Sequence, residues 1–434
     1  MPASPLKVLL ILATILSALT AFGESEKILY SFKGGNDGHD PYQSGLVRDK
    51  SGNLYGLTSK GGNPSNCGGE GCGFAFQLSP TSGGGWKKTN IHNFTGGNDG
   101  GTPVGNLAID AKGNLYGVTD EGGTGPCNSV LGLGCGVVFR LALSSKGKWN
   151  LTVILDFSTG NDVGAYPNAG VVFDRAGNLY GTTEFGGDFF CGCGNVYQLK
   201  PSKSGRWTVT NLYSFLGISR GGSDVSFPNS DVFVDAHGNI FGTGSGGGDV
   251  NCNDGCGGVF ELIPQDNDTY QEQVLNIFHG GKDGEQPMGG VILDAQGNVY
   301  GTTVAGGART GCNNGGFGCG TVFELQKSGS KYREKIIFRF NGSNGYQPVA
   351  DIFLDSKANL YSTTANGGAF NNGIAFELTN TSGKWTETIL HSFGSGQDGS
   401  SSWASLTSDG KGGFFGTTRF GGSAGQGTLF HLLP

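Results

Sequence analysis

The chain repeats one phrase seven times. It reads Gly52-Asn53-Leu54-Tyr55-Gly56 and recurs at residues 113–117, 177–181, 238–242 (GNIFG) and 297–301 (GNVYG), with divergent copies at 358–362 (ANLYS) and 412–416 (GGFFG). Its aromatic falls at Tyr55, Tyr116, Tyr180, Phe241, Tyr300, Tyr361 and Phe415, a period of about 60 residues. A fixed period means one supersecondary unit made many times, and it fixes architecture before any other feature is weighed.

Each unit carries four strand-like segments. In the fifth, Val291-Ile292-Leu293 ends at Asp294, a tight turn leads to residues 298–303, a Gly/Cys loop leads to 321–325, and a short turn leads to 332–340. Short apolar runs, turn signals and no helical period predict an all-β chain. Four strands in each of seven units predict a seven-bladed β-propeller. The ends agree. The chain opens with Ile28-Leu29-Tyr30-Ser31-Phe32, a fourth strand with no unit before it, and closes on residues 427–432, a third strand with none after it. The N-terminal strand is therefore expected to complete the last blade and hide two open sheet edges.

Residues 1–23 read as a cleaved secretory signal, with Lys7, an apolar run over 8–19 and small residues at Ala21 and Gly23. The run is too short to span a bilayer. Residues 24–434 are then one propeller domain, expected as a monomer in the periplasm or medium, with no membrane span and no C-terminal anchor. Net charge is −7 with no basic stripe, which argues against nucleic acid as a partner. The 84 glycines sit at fixed places in each unit, as turn punctuation.

Second-to-third and fourth-to-first loops of a propeller share one face, and both variable elements of the chain fall there. All ten cysteines lie in second-to-third loops, as Cys67/Cys72, Cys127/Cys135, Cys191/Cys193, Cys252/Cys256 and Cys312/Cys319. One pair per loop in an exported chain predicts five local disulfides. Zinc is the weaker reading, because spacings differ and no histidine accompanies them. A bridge between Cys191 and Cys193 would be strained and more easily reduced, and the sequence leaves that pairing open. Loops gathered on one face mark a binding face.

The fourth-to-first loops repeat Gly-Gly-Asn-Asp-Gly, with acids at Asp37, Asp99, Asp162, Asp224, Asp283 and Asp398 and Asn344 standing in once. They are either turn caps or a carboxylate ring for calcium or a cationic ligand; no other cofactor is indicated. A second set (Asp49, Asp110, Asp174, Asp235, Asp294, Asp355, Asp409) ends the first strands and reads as turn residues. Trp86, Trp149, Trp207, Tyr270, Tyr332 and Trp385 each precede a closing Phe by eight residues, so both face one side of the strand. They read as inter-blade packing, repeated in every blade, or as a surface for stacking carbohydrate. Trp403 breaks that pattern and is the tryptophan to weigh as a ligand contact.

Catalytic signals are thin. Residues 421–425 match GxSxG and 242–247 match GxGxxG, but neither stands at a strand-to-helix turn. The six histidines (His39, His92, His237, His279, His391, His431) form no metal or triad spacing.

The unit GNLYGTT…GG…CGxVFxL…W…ILxSF…GGNDG…P, matched well at 178–183 and 320–325, resembles the GloVer tandem repeat of secreted bacterial "choice-of-anchor" proteins. Its Asp-x-x-Gly-Asn-hydrophobic-Tyr core is similar to NHL-like propeller repeats. The resemblance covers everything after residue 23. It implies bacterial export and often anchoring by a C-terminal tail, although release is the expectation here; it brings no activity or catalytic residue. The expectation is a secreted protein that binds an extracellular glycan or surface protein on its disulfide-loop face, with no catalytic role assigned. The alternatives are a polysaccharide hydrolase or lyase using carboxylates of that face, or a purely structural envelope protein.

Overall fold

The computed structural model describes residues 26–433 apart from 64–66, 126, 128–133, 159–162, 188–190, 219–223, 253, 267–268, 313–314 and 395–396. The expected signal at 1–23 and Asp162 lie outside the described residues. Seven four-stranded antiparallel sheets follow one another, the blades of a propeller. Blade one runs Val47–Arg48, Leu54–Thr58, Phe74–Pro80, Trp86–Asn93 from the axis outward. Blades two to six repeat that order. In blade seven the order is Thr407–Ser408, Phe414–Thr418, Thr428–Leu432 and then Glu26–Ser31. The first strand of the chain thus closes the ring, with Glu26 opposite Leu432. No helix among the described residues is long and apolar enough to cross a membrane.

The repeated phrase builds each blade's inner hairpin. Asp49 Oδ1 accepts the amides of Ser51 and Asn53, while Oδ2 accepts Asn53 Nδ2 and Tyr55 Oη. The same four bonds recur at Asp110, Asp174, Asp294 and Asp355; at Asp235 the hydroxyl is missing because Phe241 replaces tyrosine. The first-strand acids are therefore turn caps. The closing glycine has a steric cause. Gly56 pairs with Phe76, whose ring would lie 2.7 Å from any Cβ at 56.

Aromatics weld the blades together. Phe32, Phe94, Phe157, Phe215, Phe278, Phe340 and Phe393 each meet a third-strand ring of the next blade (Phe76, Phe139, Tyr197, Phe260, Phe323, Phe376, Phe430), with centroids 4.9–5.5 Å apart. Trp149, Trp207, Trp385 and Trp86 pack edge-on against Tyr55, Tyr116, Tyr300 and Phe415 of the preceding blade. Each pair contributes about 0.5–1.5 kcal/mol beyond its buried area. The tryptophan stripe is inter-blade packing.

Candidate functional site at the channel mouth

All five expected cysteine pairs are joined, Cys191 to Cys193 included. Their loops share a face with the fourth-to-first loops, because short bridges such as His39 to Lys60, Ala165 to Phe185 and Glu285 to Ala305 zip the two together. The disulfides also reach the axis. The amides of Thr102, Tyr166, Phe227, Gln286 and Gln347 donate to the carbonyls of Cys72, Cys135, Cys193, Cys256 and Cys319, the second cysteine of the preceding blade in every case. In the blades without cysteine, Asn372 and Gln426 hold Ser401 and Asp40 in the same way.

These seven recipients are seven of the thirteen described non-glycine residues with positive φ. Each is a non-glycine in the left-handed region, with φ between 53° and 58°. Such residues cost about 1 kcal/mol or more and collect where a site over-determines them. They stand one per blade at or just before the inner strand, Thr102 inside it, and their side chains differ at almost every blade.

Below them hydrogen bonds cross the axis. Asn106 Nδ2 donates to Asp231 Oδ2 (2.8 Å) and Asp351 Oδ2 (3.1 Å) from two other blades. The amides of Gly45, Gly170 and Gly290 donate to Asn106, Asp231 and Asp351, and Ser405 Oγ donates to Asp351. The cavity at this floor is about 30 Å³, room for little more than water, and a second of about 210 Å³ lies among Asp231, Gly290, Asp351 and Ser405. Burial, and then Asp351, push the Asp231 carboxyl up to about 7. No motif announces this floor, although it has a signal in the sequence, the series Gly45, Asn106, Gly170, Asp231, Gly290, Asp351, Ser405, each ten residues before the repeated aromatic.

Above the floor lies a mixed rim. Trp403 lines the axial cavity and packs at 5.1 Å on Tyr42, with Arg419 over both rings and paired to Asp40. Amides follow: Asn168 donates to Glu184, Asn229 to Ser245 (3.3 Å) and Asn366 to Gln347 (2.5 Å). Glu184, Phe227, Gln286 and Met288 line a cavity of about 240 Å³. Burial, and then Glu121 and Glu184, push Asp120 up to about 7, and its Oδ1 is buried without a hydrogen bond among the described residues. Glu184 is also raised, by burial. A larger cavity, about 620 Å³, opens on the opposite face, but its acids Asp174, Asp235 and Asp294 are spent as turn caps.

The loop acids sit away from the axis. Asp37, Asp99, Asp283 and Asp398 each accept the amide four residues earlier, and Asp224 accepts that of Leu216. Their other bonds run to the outermost strands, to Tyr30, His92, Tyr213 and His391. At four blade interfaces a loop acid also meets the residue two places after the stripe aromatic, or its counterpart Glu26 in the closing strand. Lys88 pairs with Asp37, whereas Glu272 faces Asp224, Glu334 faces Asp283 and Glu26 faces Asp398. Burial, reinforced by the facing carboxylate, pushes Glu272 and Glu26 up to about 8 and Glu334 to about 9. Cys252 and Cys256 lie near Glu285 but are bonded to each other and so offer no thiolate for a metal.

Comparison with known families settles the relationship. A family described as the Gloeobacter/Verrucomicrobia repeat matches residues 14–253 and 228–434. The chain belongs to that family. No curated protein matches this Gloeobacter/Verrucomicrobia repeat chain. Among solved structures it is similar to a fungal alcohol oxidase of the AA5 family in complex with copper (13% identity, TM-score 0.51, covering 94% of this chain and 76% of that one). It is also similar to a PL25 ulvan lyase bound to a glucuronic acid–sulfated rhamnose unit (12%, 0.50, 83% and 85%). A protein of unknown function from Dyadobacter fermentans aligns over 94% of this chain and 98% of its own at 11% identity and TM-score 0.44. For the oxidase and the lyase the likeness, at these identities, is one of fold.

Proposed function

We propose that this Gloeobacter/Verrucomicrobia repeat protein is exported and binds an extracellular glycan at the channel mouth of its disulfide-loop face. The observation that carries the reading is the ring of seven left-handed residues, strained in the same way and different in side chain, five of them held by a disulfide cysteine's carbonyl. A scaffold that spends strain and disulfides to fix variable side chains around the channel mouth is pre-organised for recognition. The rim supplies what a sugar requires: aromatic surface at Trp403 and Tyr42, and amides and carboxyls at Asn168, Asn229 and Glu184. Five disulfides accord with an oxidising compartment. The test is retention of the protein on a panel of plant and microbial polysaccharides, with Trp403→Ala and Asn229→Ala beside it. Retention lost in both variants supports the mouth; retention unchanged in both, or retention of no polymer, sinks the reading.

A second reading rests on Asp120. A carboxyl held near 7 beside Glu184 is the arrangement of a general acid and its partner carboxylate, as in glycoside cleavage. It predicts release of soluble sugar from a retained polymer, abolished by Asp120→Asn with retention intact. Retention without release leaves a binding protein.

A further inference from the structure

The seven units act as internal controls on one another, and one blade interface stands apart. The position two before the closing Phe holds histidine only at His92 and His391. The position two after the stripe aromatic holds glutamate at Glu272, Glu334, Glu387 and, in the closing strand, Glu26. The two coincide with a loop acid at the seam between blades six and seven. At the His92 interface the glutamate's place is taken by Leu151, and where glutamates face Asp224 and Asp283 the histidine's place is taken by Tyr213 and Asn276.

At the seam, His391 Nε2 lies 3.2 Å from Asp398 Oδ2 and 3.6 Å from Glu26 Oε2, and one ligand atom of each residue falls within 4.8 Å of the others. Two ligand atoms on a tetrahedral zinc, each about 2.0–2.1 Å from the ion, stand about 3.3 Å apart. The Glu26 side chain is 8% exposed, and its Oε1, like that of Glu272, Glu334 and Glu387, is buried without a hydrogen bond among the described residues. Such a group is costly unless something occupies its lone pairs. Of these four glutamates only Glu26 faces a strand that carries a histidine two before its closing Phe. Asp398 is already oriented by the amides of Gly394 and Gly399, as a metal-binding carboxylate is by its outer shell.

We propose that Glu26, His391 and Asp398 form a zinc site that clamps the closing strand of the propeller to blade six. One imidazole and two carboxylates are donors that zinc takes, and they leave a fourth position for water. The two carboxylates neutralise the ion, and binding releases any proton that the ligands carry. The ion joins the first strand of the chain to its sixth blade, at the place where the ring is held shut by a strand from the opposite terminus.

The experiment is calorimetric titration of the EDTA-stripped, disulfide-bonded protein with zinc chloride, with melting temperature followed in parallel. The expected result is one tight site per chain, a raised melting temperature reversed by EDTA, and a loss of about tenfold or more in affinity in Glu26→Gln and in Asp398→Asn. Glu272→Gln, at the equivalent position facing no histidine, should bind zinc as the parent does. If Glu26→Gln does not fold, Asp398→Asn carries the comparison. No binding, binding undiminished in the seam variant that folds, or binding abolished by His279→Ala at the exposed His279–Asp249 pair overturns the proposal.

Discussion

Asp231 of blade four and Asp351 of blade six share a single amide, Asn106 Nδ2 of blade two, at 2.8 and 3.1 Å. Three blades that are not neighbours are thereby tied across the axis, and the amide separates two carboxyls that would otherwise face each other. Asn106→Leu is close in size but removes the donor from both acceptors and the acceptor from the Gly45 amide. We expect a loss of about 2–4 kcal/mol. Urea unfolding checks this, and a variant within about 0.5 kcal/mol of the parent would show that the floor is ornamental.

Restoring the repeat's asparagine in the seventh unit should harm the fold. Position 413 is glycine where the other units carry asparagine, a change that looks like drift. In the structure His431 Nε2 lies 2.9 Å from Asp409 Oδ2, the oxygen that the asparagine amide reaches elsewhere. A Cβ at 413 would stand 2.5 Å from the Leu432 carbonyl oxygen, 2.6 Å from Asp409 Oδ2 and 3.0 Å from His431 Nε2. Gly413→Asn is therefore expected to destabilise by about 1–3 kcal/mol. Gly413→Asn with His431→Leu should recover part of that loss, read as the midpoint of urea unfolding.

The seven-fold phrase carried the architecture because each residue in it has a local cause: the aspartate caps, the aromatic packs and the last glycine makes room for a ring. Closure by Ile28 to Phe32 was legible for the same reason, since an unpaired fourth strand and an unpaired third strand can satisfy only each other. The site was less legible. Asp37, Asp99, Asp224, Asp283 and Asp398 stood out by recurrence, but recurrence marks what every blade needs, and the structure turns them toward caps and outer strands. Glu26, Glu272 and Glu334 recur as well, yet which side chain faces which across a blade interface depends on inter-blade packing, which no local pattern encodes. The mouth residues Tyr166, Phe227 and Gln286 were invisible because a left-handed non-glycine before proline has no signature in its own identity.

The disulfides should act at a distance on the mouth. Cys319 is bonded to Cys312, and its carbonyl holds the Gln347 amide, whose side chain accepts from Asn366. Replacing both cysteines with serine frees the loop that fixes this carbonyl. The expected outcome is faster amide exchange at Gln347 and Asn366 and weaker polymer retention by roughly tenfold, ~1.4 kcal/mol, with the blade strands unchanged. Exchange confined to residues 308–320 would show that the disulfide serves its own loop alone.

Stability should fall as the solution turns alkaline. Glu26, Glu272 and Glu334 are all raised in the folded chain, to about 8, 8 and 9, from an unfolded value of 4.5. Between those limits the native state holds protons that the unfolded chain has released. Their contribution is complete below the unfolded value and is lost as pH climbs through the folded one, at up to about 1.4 kcal/mol per pH unit for each proton retained. The lowered carboxyls Asp99 and Asp398 act the other way, but their gain is complete above the ordinary carboxylate range. Urea midpoints measured in EDTA should therefore decline from pH 5 to pH 9. The double variant Glu272→Gln/Glu334→Gln should flatten the decline, because an amide keeps the donor that the acid would surrender. A parent protein whose midpoint rises over that interval would mean that these interfaces carry no shared protons.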